Sequence, residues 1–91
     1  MNEKGEATNS QAKIGENNSN TFVSPERLVF ARNFSDARKK RKLSQHKIHE
    51  ITGFAQSWIS EVETGKSTIN VDNMARLANV VGQPLWKLLK P

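Results

Sequence analysis

Gln56, Ser57, Trp58 and Glu61 bring four different polar or aromatic groups within six residues. The Gln56 amide donates and accepts at once, which matches the edge of an adenine. The Ser57 hydroxyl serves in either role. Glu61, one helical turn beyond Ser57, can only accept, so it suits a cytosine amino group and is repelled by phosphate; a solubilising role on a solvated face suits it equally. The Trp58 indole can press on a thymine methyl or a sugar, or it can cover Phe54 and extend a core. The chemistry on offer is recognition of nucleic-acid bases. No nucleophile with its base and no carboxylate cluster is visible in the sequence, so an enzyme is disfavoured.

These residues need a scaffold that turns one face outward. Residues 43–66 read as two short helices joined by a tight turn. Ser44 can cap a helix opening at Gln45, with Ile48 and Ile51 as its apolar side. Gly53 supplies the left-handed conformation that lets the chain reverse through Phe54 and Ala55. A second helix then begins near Gln56. Ile59 and Val62, three apart, point one way, while Gln56, Ser57, Ser60 and Glu61 point elsewhere. One face is buried and the other is offered.

Other stop signals divide the remainder. Ser24, Pro25 and Glu26 form a helix start, and Phe30, Phe34 and Ala37 continue it as a stripe to about Arg41. Asn70 can cap a later helix with Val71, Met74, Leu77, Ala78 and Val81 inward and Gly82 closing it. Pro84 begins a last short helix that Leu85, Leu88 and Leu89 fold back. No segment alternates with period two, so the expected fold is all-α, a compact five-helix bundle over residues 25–91. Residues 1–24 are rich in Asn, Ser, Glu and Gly, with only Ile14, Phe22 and Val23 as sizeable apolar residues, and are expected to form a disordered arm.

Charge separates the same two parts. Residues 1–24 carry two Lys against three Glu, whereas residues 25–91 carry twelve Lys or Arg against six acids, net +6. Such an excess on a small domain suits a polyanion, as it would a solubility-enhancing surface. Phosphate contacts are expected around the second helix of the pair, which has no positive side chain of its own. Candidates are Gln45, Lys47, Ser60, Lys66, Ser67 and Thr68, with the backbone donors of the loop after Gly65. Lys39, Lys40 and Lys42 either steer phosphate or simply complement a helix C-terminus. The chain has no cysteine, hence no disulfide framework or finger-type zinc site, and no run of eighteen apolar residues or secretory signal, so a cytoplasmic protein without membrane partner is expected.

Gln45, Ile48, Gly53, Gln56, Ile59, Val62, Glu63 and Gly65 together resemble the helix-turn-helix of the Xre and phage-repressor-like (Cro/CI-type) family, and the likeness extends over residues 25–90. The resemblance implies a five-helix DNA-binding domain, with the helix from Gln56 to Glu63 as recognition helix in the major groove. It also implies base or phosphate contact at Gln56 and Ser57, and a phosphate on Gln45. Arg38 lies four residues from Phe34, which turns its stem inward; the resemblance pairs it with Glu63 as a structural ion pair. Two departures from the family pattern stand out, His49 where alanine is usual and Gln83 where an apolar residue is usual.

His46, His49 and Glu50 invite a metal reading, but a stable site needs a further ligand, so neither metal nor cofactor is expected. The family habit and the small contact area of one module imply a homodimer on a palindromic operator. Trp86, at a usually polar position, and Leu89 are the candidate interface residues. The expected function is sequence-specific binding of double-stranded DNA in transcriptional regulation. An antitoxin-like or adaptor protein using the fold to bind another protein, and an RNA-binding module, are the rival classes.

Overall fold

The computed structural model describes residues 22–91. Five helices follow in order: α1 (Pro25–Lys40), α2 (Gln45–Thr52), α3 (Gln56–Glu63), α4 (Val71–Val80) and α5 (Leu85–Leu88), with no strand among the described residues. The part of the expected arm that precedes Phe22 lies outside the described residues.

Three of the five helix starts have a local side-chain cause. The Ser24 hydroxyl accepts from the Arg27 amide at 3.0 Å, that of Ser44 from Lys47 at 2.9 Å, and the Asn70 side chain from Asn73 at 2.7 Å. These caps satisfy amide donors that the first helical turn leaves open. The helix ends repeat a motif. At α1, α3 and α4 the residue after the cap takes a positive φ, and paired amides reach back to the last carbonyls, as Lys42 to Lys39 and Leu43 to Arg38 do at α1. Gly65 and Gly82 fill that position after α3 and α4, but Lys42 fills it after α1 at φ 59°, where a side chain is strained.

Phe30, Phe34, Ile48, Ile59, Val62, Leu77 and Val81 are fully buried and form the centre of the core, with Met74, Ala78 and Leu88 completing it. Burying each larger side chain contributes roughly 1.5–3 kcal/mol against the ordering of a short chain. Phe30 and Phe34 stack along α1, ring centres 5.9 Å apart. The α1 helix packs on α3 and α5, α2 on α3 and α4, and α4 on α5, so the α2–α3 pair is gripped from two sides. Asn33 fastens the chain end by donating to the Leu88 and Lys90 carbonyls at 3.0 and 2.8 Å.

Two expected inward residues point out. Ile51 is 53% exposed because the buried side of α2 centres on Ile48, and a residue three further on falls past its edge. Val71 is 66% exposed, since it opens α4 one turn short of the first buried residue, Met74. Leu85 and Leu89 are half-buried, leaving Leu88 as the inward residue of α5.

Candidate nucleic-acid interface

The turn between α2 and α3 is held by a closed set of hydrogen bonds. Gly53 adopts φ 80° and its amide reaches the His49 carbonyl at 2.8 Å. Thr52 donates to the Ile48 carbonyl at 2.8 Å and accepts from the Phe54 amide at 3.1 Å. His49 Nδ1 lies 2.7 Å from the Phe54 carbonyl, which can only accept, so that nitrogen carries the proton. The imidazole that replaces the usual alanine thus finds a polar partner inside the turn. Arg76 from α4 spans the same place, donating to the Thr52 carbonyl at 3.2 Å with its guanidinium 4.6 Å from the centre of the Phe54 ring.

With Ile59 and Val62 buried, α3 leaves Gln56, Ser57 and Glu61 exposed on its outer face. Unlike α1, α2 and α4, it opens without a side-chain cap, because its N-cap is Ala55. Its first amides are therefore open to an incoming acceptor. Trp58 is half-buried with its ring 4.8 Å from that of Phe54, where it packs against the core and extends it. Glu61 is oriented by the Ser67 hydroxyl, which donates to its carboxylate at 2.6 Å. That bond also engages the Ser67 proton, so Ser67 does not offer it to a phosphate while the bond holds.

Behind this face, Arg38 and Glu63 meet in a bidentate contact, Nε to Oε2 at 2.6 Å and Nη2 to Oε1 at 2.9 Å, with side chains 10% and 6% exposed. Arg38 Nη1 also donates to the Leu43 carbonyl at 2.8 Å, so one side chain ties α1, the α1–α2 loop and α3 together. Burial opposes ionisation of Glu63, but hydrogen bonds from Arg38 and Gln45, the Arg38 charge and a bond from Ser35 outweigh it and hold the carboxyl below its usual range. The bond to Glu63 raises Arg38 further above its ordinary value, against the opposing effect of burial, and the attraction of the carboxylate adds to it. Gln45 gives one amide hydrogen to Glu63 at 3.2 Å, which leaves the second for another acceptor.

The remaining phosphate candidates are arranged unequally. Lys66 and Thr68 are exposed in the α3–α4 loop and Ser60 is half-buried. Three of the loop's backbone donors are engaged within the protein. Gly65 donates to Val62 at 3.1 Å, and Lys66 and Ser67 both donate to the Glu61 carbonyl at 2.8 and 3.4 Å, because the carbonyls ending α3 need partners. Lys47 is exposed and pairs with Glu50 at 3.5 Å, and His46 Nε2 lies 3.2 Å from the same carboxylate. No three metal-ligating side chains come together among the described residues. Trp86 stands 62% exposed on α5, with the Lys87 and Lys90 ammonium groups each 6.0 Å from its ring. Sequence reasoning missed Arg76 and also Arg27, whose Nη2 donates to the Gly65 carbonyl at 2.7 Å. Neither carried a local signal, since both partners lie more than twenty residues away.

A family model described as a helix-turn-helix domain matches residues 31–90. No curated protein matches the chain. Among solved structures, a hypothetical transcription factor, NHTF, from Neisseria is 25% identical with a TM-score of 0.68, covering 79% of this chain and 86% of its own. The restriction-modification controller protein C.AhdI from Aeromonas hydrophila is 22% identical with a TM-score of 0.65, over 71% of this chain and 98% of its own. Apo-HppE shares the fold at 22% identity and a TM-score of 0.63, over 70% of this chain but only 35% of its own. None of the described helices is long and apolar enough to cross a membrane. The chain belongs to the helix-turn-helix domain family, in its Xre and phage-repressor-like form, and has that family's DNA-binding fold.

Proposed function

We propose that the chain is a sequence-specific regulator of transcription that binds double-stranded DNA as a homodimer on a palindromic operator. The observation that carries this reading is the outer face of α3, where Gln56 and Ser57 stand exposed beside open helix-end amides while the opposite face is locked into the core. A helix held this way can enter the major groove without loosening. Gln56 and Ser57 read base edges from the first turn, and Glu61, steadied by Ser67, meets a cytosine amino group. Trp58 touches DNA only by the edge left free by Phe54. Lys66, Thr68, Ser60, Lys47 and the second amide hydrogen of Gln45 take phosphates, which fix the register and supply most of the affinity. Ser67 acts through Glu61.

Trp86 on α5 and Leu89 just after it form the contact between copies, with half-sites about one helical turn of DNA apart. The helical domain from the Ser24 cap to the last described residue suffices for binding. The reading calls for neither catalysis nor a cofactor, and places the protein in the cytoplasm of a bacterial cell, on the nucleoid. Selection of bound sequences from random duplex DNA tests it. The expected result is an inverted repeat; no enrichment over bulk DNA would contradict the reading and favour an adaptor or antitoxin-like role.

A further inference from the structure

The first turns of α1 lie N-terminal to the residues that the family model matches, yet they touch the loop between α3 and α4. Arg27 Nη2 donates to the Gly65 carbonyl at 2.7 Å, across 38 residues of sequence. Its Nε is buried without a hydrogen-bond partner among the described residues, so the guanidinium bears a desolvation penalty in making the bond to Gly65. Beside it Leu28 lies over Gly65, where a side-chain carbon would come within 2.7 Å of Leu28 Cδ2. Gly65 itself is buried at φ 75°, the left-handed position on which the loop pivots. Lys66 follows it directly, and the carbonyl held by Arg27 belongs to the peptide group that carries the Lys66 amide. Ser24, by capping the Arg27 amide at 3.0 Å, fixes the turn from which the guanidinium extends.

We infer that Arg27 is a positioning residue for DNA binding, a brace that holds the loop after α3 so that Lys66 meets the phosphate backbone. The inference rests on the proposed DNA-binding function for its consequence, but the brace itself is a property of the free protein. Loop order matters because a lysine on a fixed backbone loses less freedom on binding than one on a loop that must first be ordered. Arg27 acts through Lys66 and contributes no contact of its own. Its loss is therefore felt by any duplex, operator or not, since phosphate contacts carry no sequence information.

Two measurements on the full chain test this. In the first, amide hydrogen exchange of the free protein compares the parent with Arg27→Gln and Arg27→Lys. Both variants should speed exchange at Lys66 and Ser67 by about tenfold while leaving α4 amides such as Leu77 unchanged, because local opening is set by the contacts that close it. The lysine variant keeps the charge and the aliphatic stem, and carries the measurement alone if Arg27→Gln does not fold. Unchanged exchange would overturn the brace whether or not the protein binds DNA. In the second, a double-mutant cycle on duplex binding combines the Arg27 variant with Lys66→Ala. The Arg27 change should weaken binding about fivefold in the parent and less than about twofold once Lys66 is gone. Additive losses would overturn the inference by showing a separate contact. If the parent fails to bind duplex DNA at all, the proposed function falls while the exchange result still decides the brace.

Discussion

Removing the Glu63 carboxylate should destabilise the whole domain and leave any folded fraction with its outer face intact. In Glu63→Ala, Arg38 loses two charge-assisted hydrogen bonds and keeps only its bond to the Leu43 carbonyl, in a site where its side chain is 10% exposed. Breaking a buried pair costs about 3–5 kcal/mol, against about 0–1 for a surface pair, and the slight exposure here places the expectation near 3 kcal/mol. For a domain of this size that corresponds to a fall in Tm of about 12–24 °C, a large part of its stability. Glu63→Gln retains acceptor capacity without charge and should lose less. Arg38→Met with Glu63→Leu should recover much of the loss, because apolar volume replaces two desolvated charges. Urea unfolding followed by circular dichroism supplies the midpoints. A Glu63→Ala midpoint equal to the parent's would refute the reasoning and mean that the pair does not hold α1 to α3.

Other expectations follow from the same geometry. Because Glu63 is depressed below its ordinary value of about 4.5, the stability it contributes is complete above that value and is lost as pH falls through the folded-state value, so Glu63→Gln should start less stable at neutral pH, lose less stability on acidification and converge on the parent in acid. An unchanged acid limb in that variant would contradict the assignment. Lys42→Gly should raise stability by about 0.5–1 kcal/mol by relieving a left-handed φ of 59°, read as a higher urea midpoint with unchanged slope. Deleting residues 1–21 should leave Tm and operator affinity nearly unchanged, given their polar composition; a fall in affinity beyond about tenfold, some 1.4 kcal/mol, would assign them a contact.

Local chemistry was the readable part of the sequence. Caps at Ser24, Ser44 and Asn70 and the turn at Gly53 act over three or four residues, so their residue types announce them. The inward pattern of α3 was legible for a similar reason, since Ile59 and Val62 share one face of a short helix. Ile51 and Val71 were misread because a spacing of three places a residue near a face without saying where that face ends. That the amides of Gly65, Lys66 and Ser67 turn back to the carbonyls ending α3 was not legible, because it depends on how the helix end closes. Long-range partners were invisible to pattern. Arg27 to Gly65 and Arg76 to Thr52 join segments whose approach depends on the packed bundle, whereas Arg38 with Glu63 was anticipated only through the family resemblance.

The central claim is that the first turn of α3 reads bases while its flanks hold phosphate, and one set of titrations separates the two. Parent, Gln56→Ala and Lys66→Ala are each titrated on the selected operator and on random duplex DNA across a range of salt. Gln56→Ala should lose about 1–3 kcal/mol on the operator and little on random duplex, with its salt slope unchanged. Lys66→Ala should weaken both alike and reduce the slope by about one unit. Equal losses on operator and random DNA for Gln56→Ala would contradict the account, because a residue that reads a base cannot matter equally where there is no sequence to read.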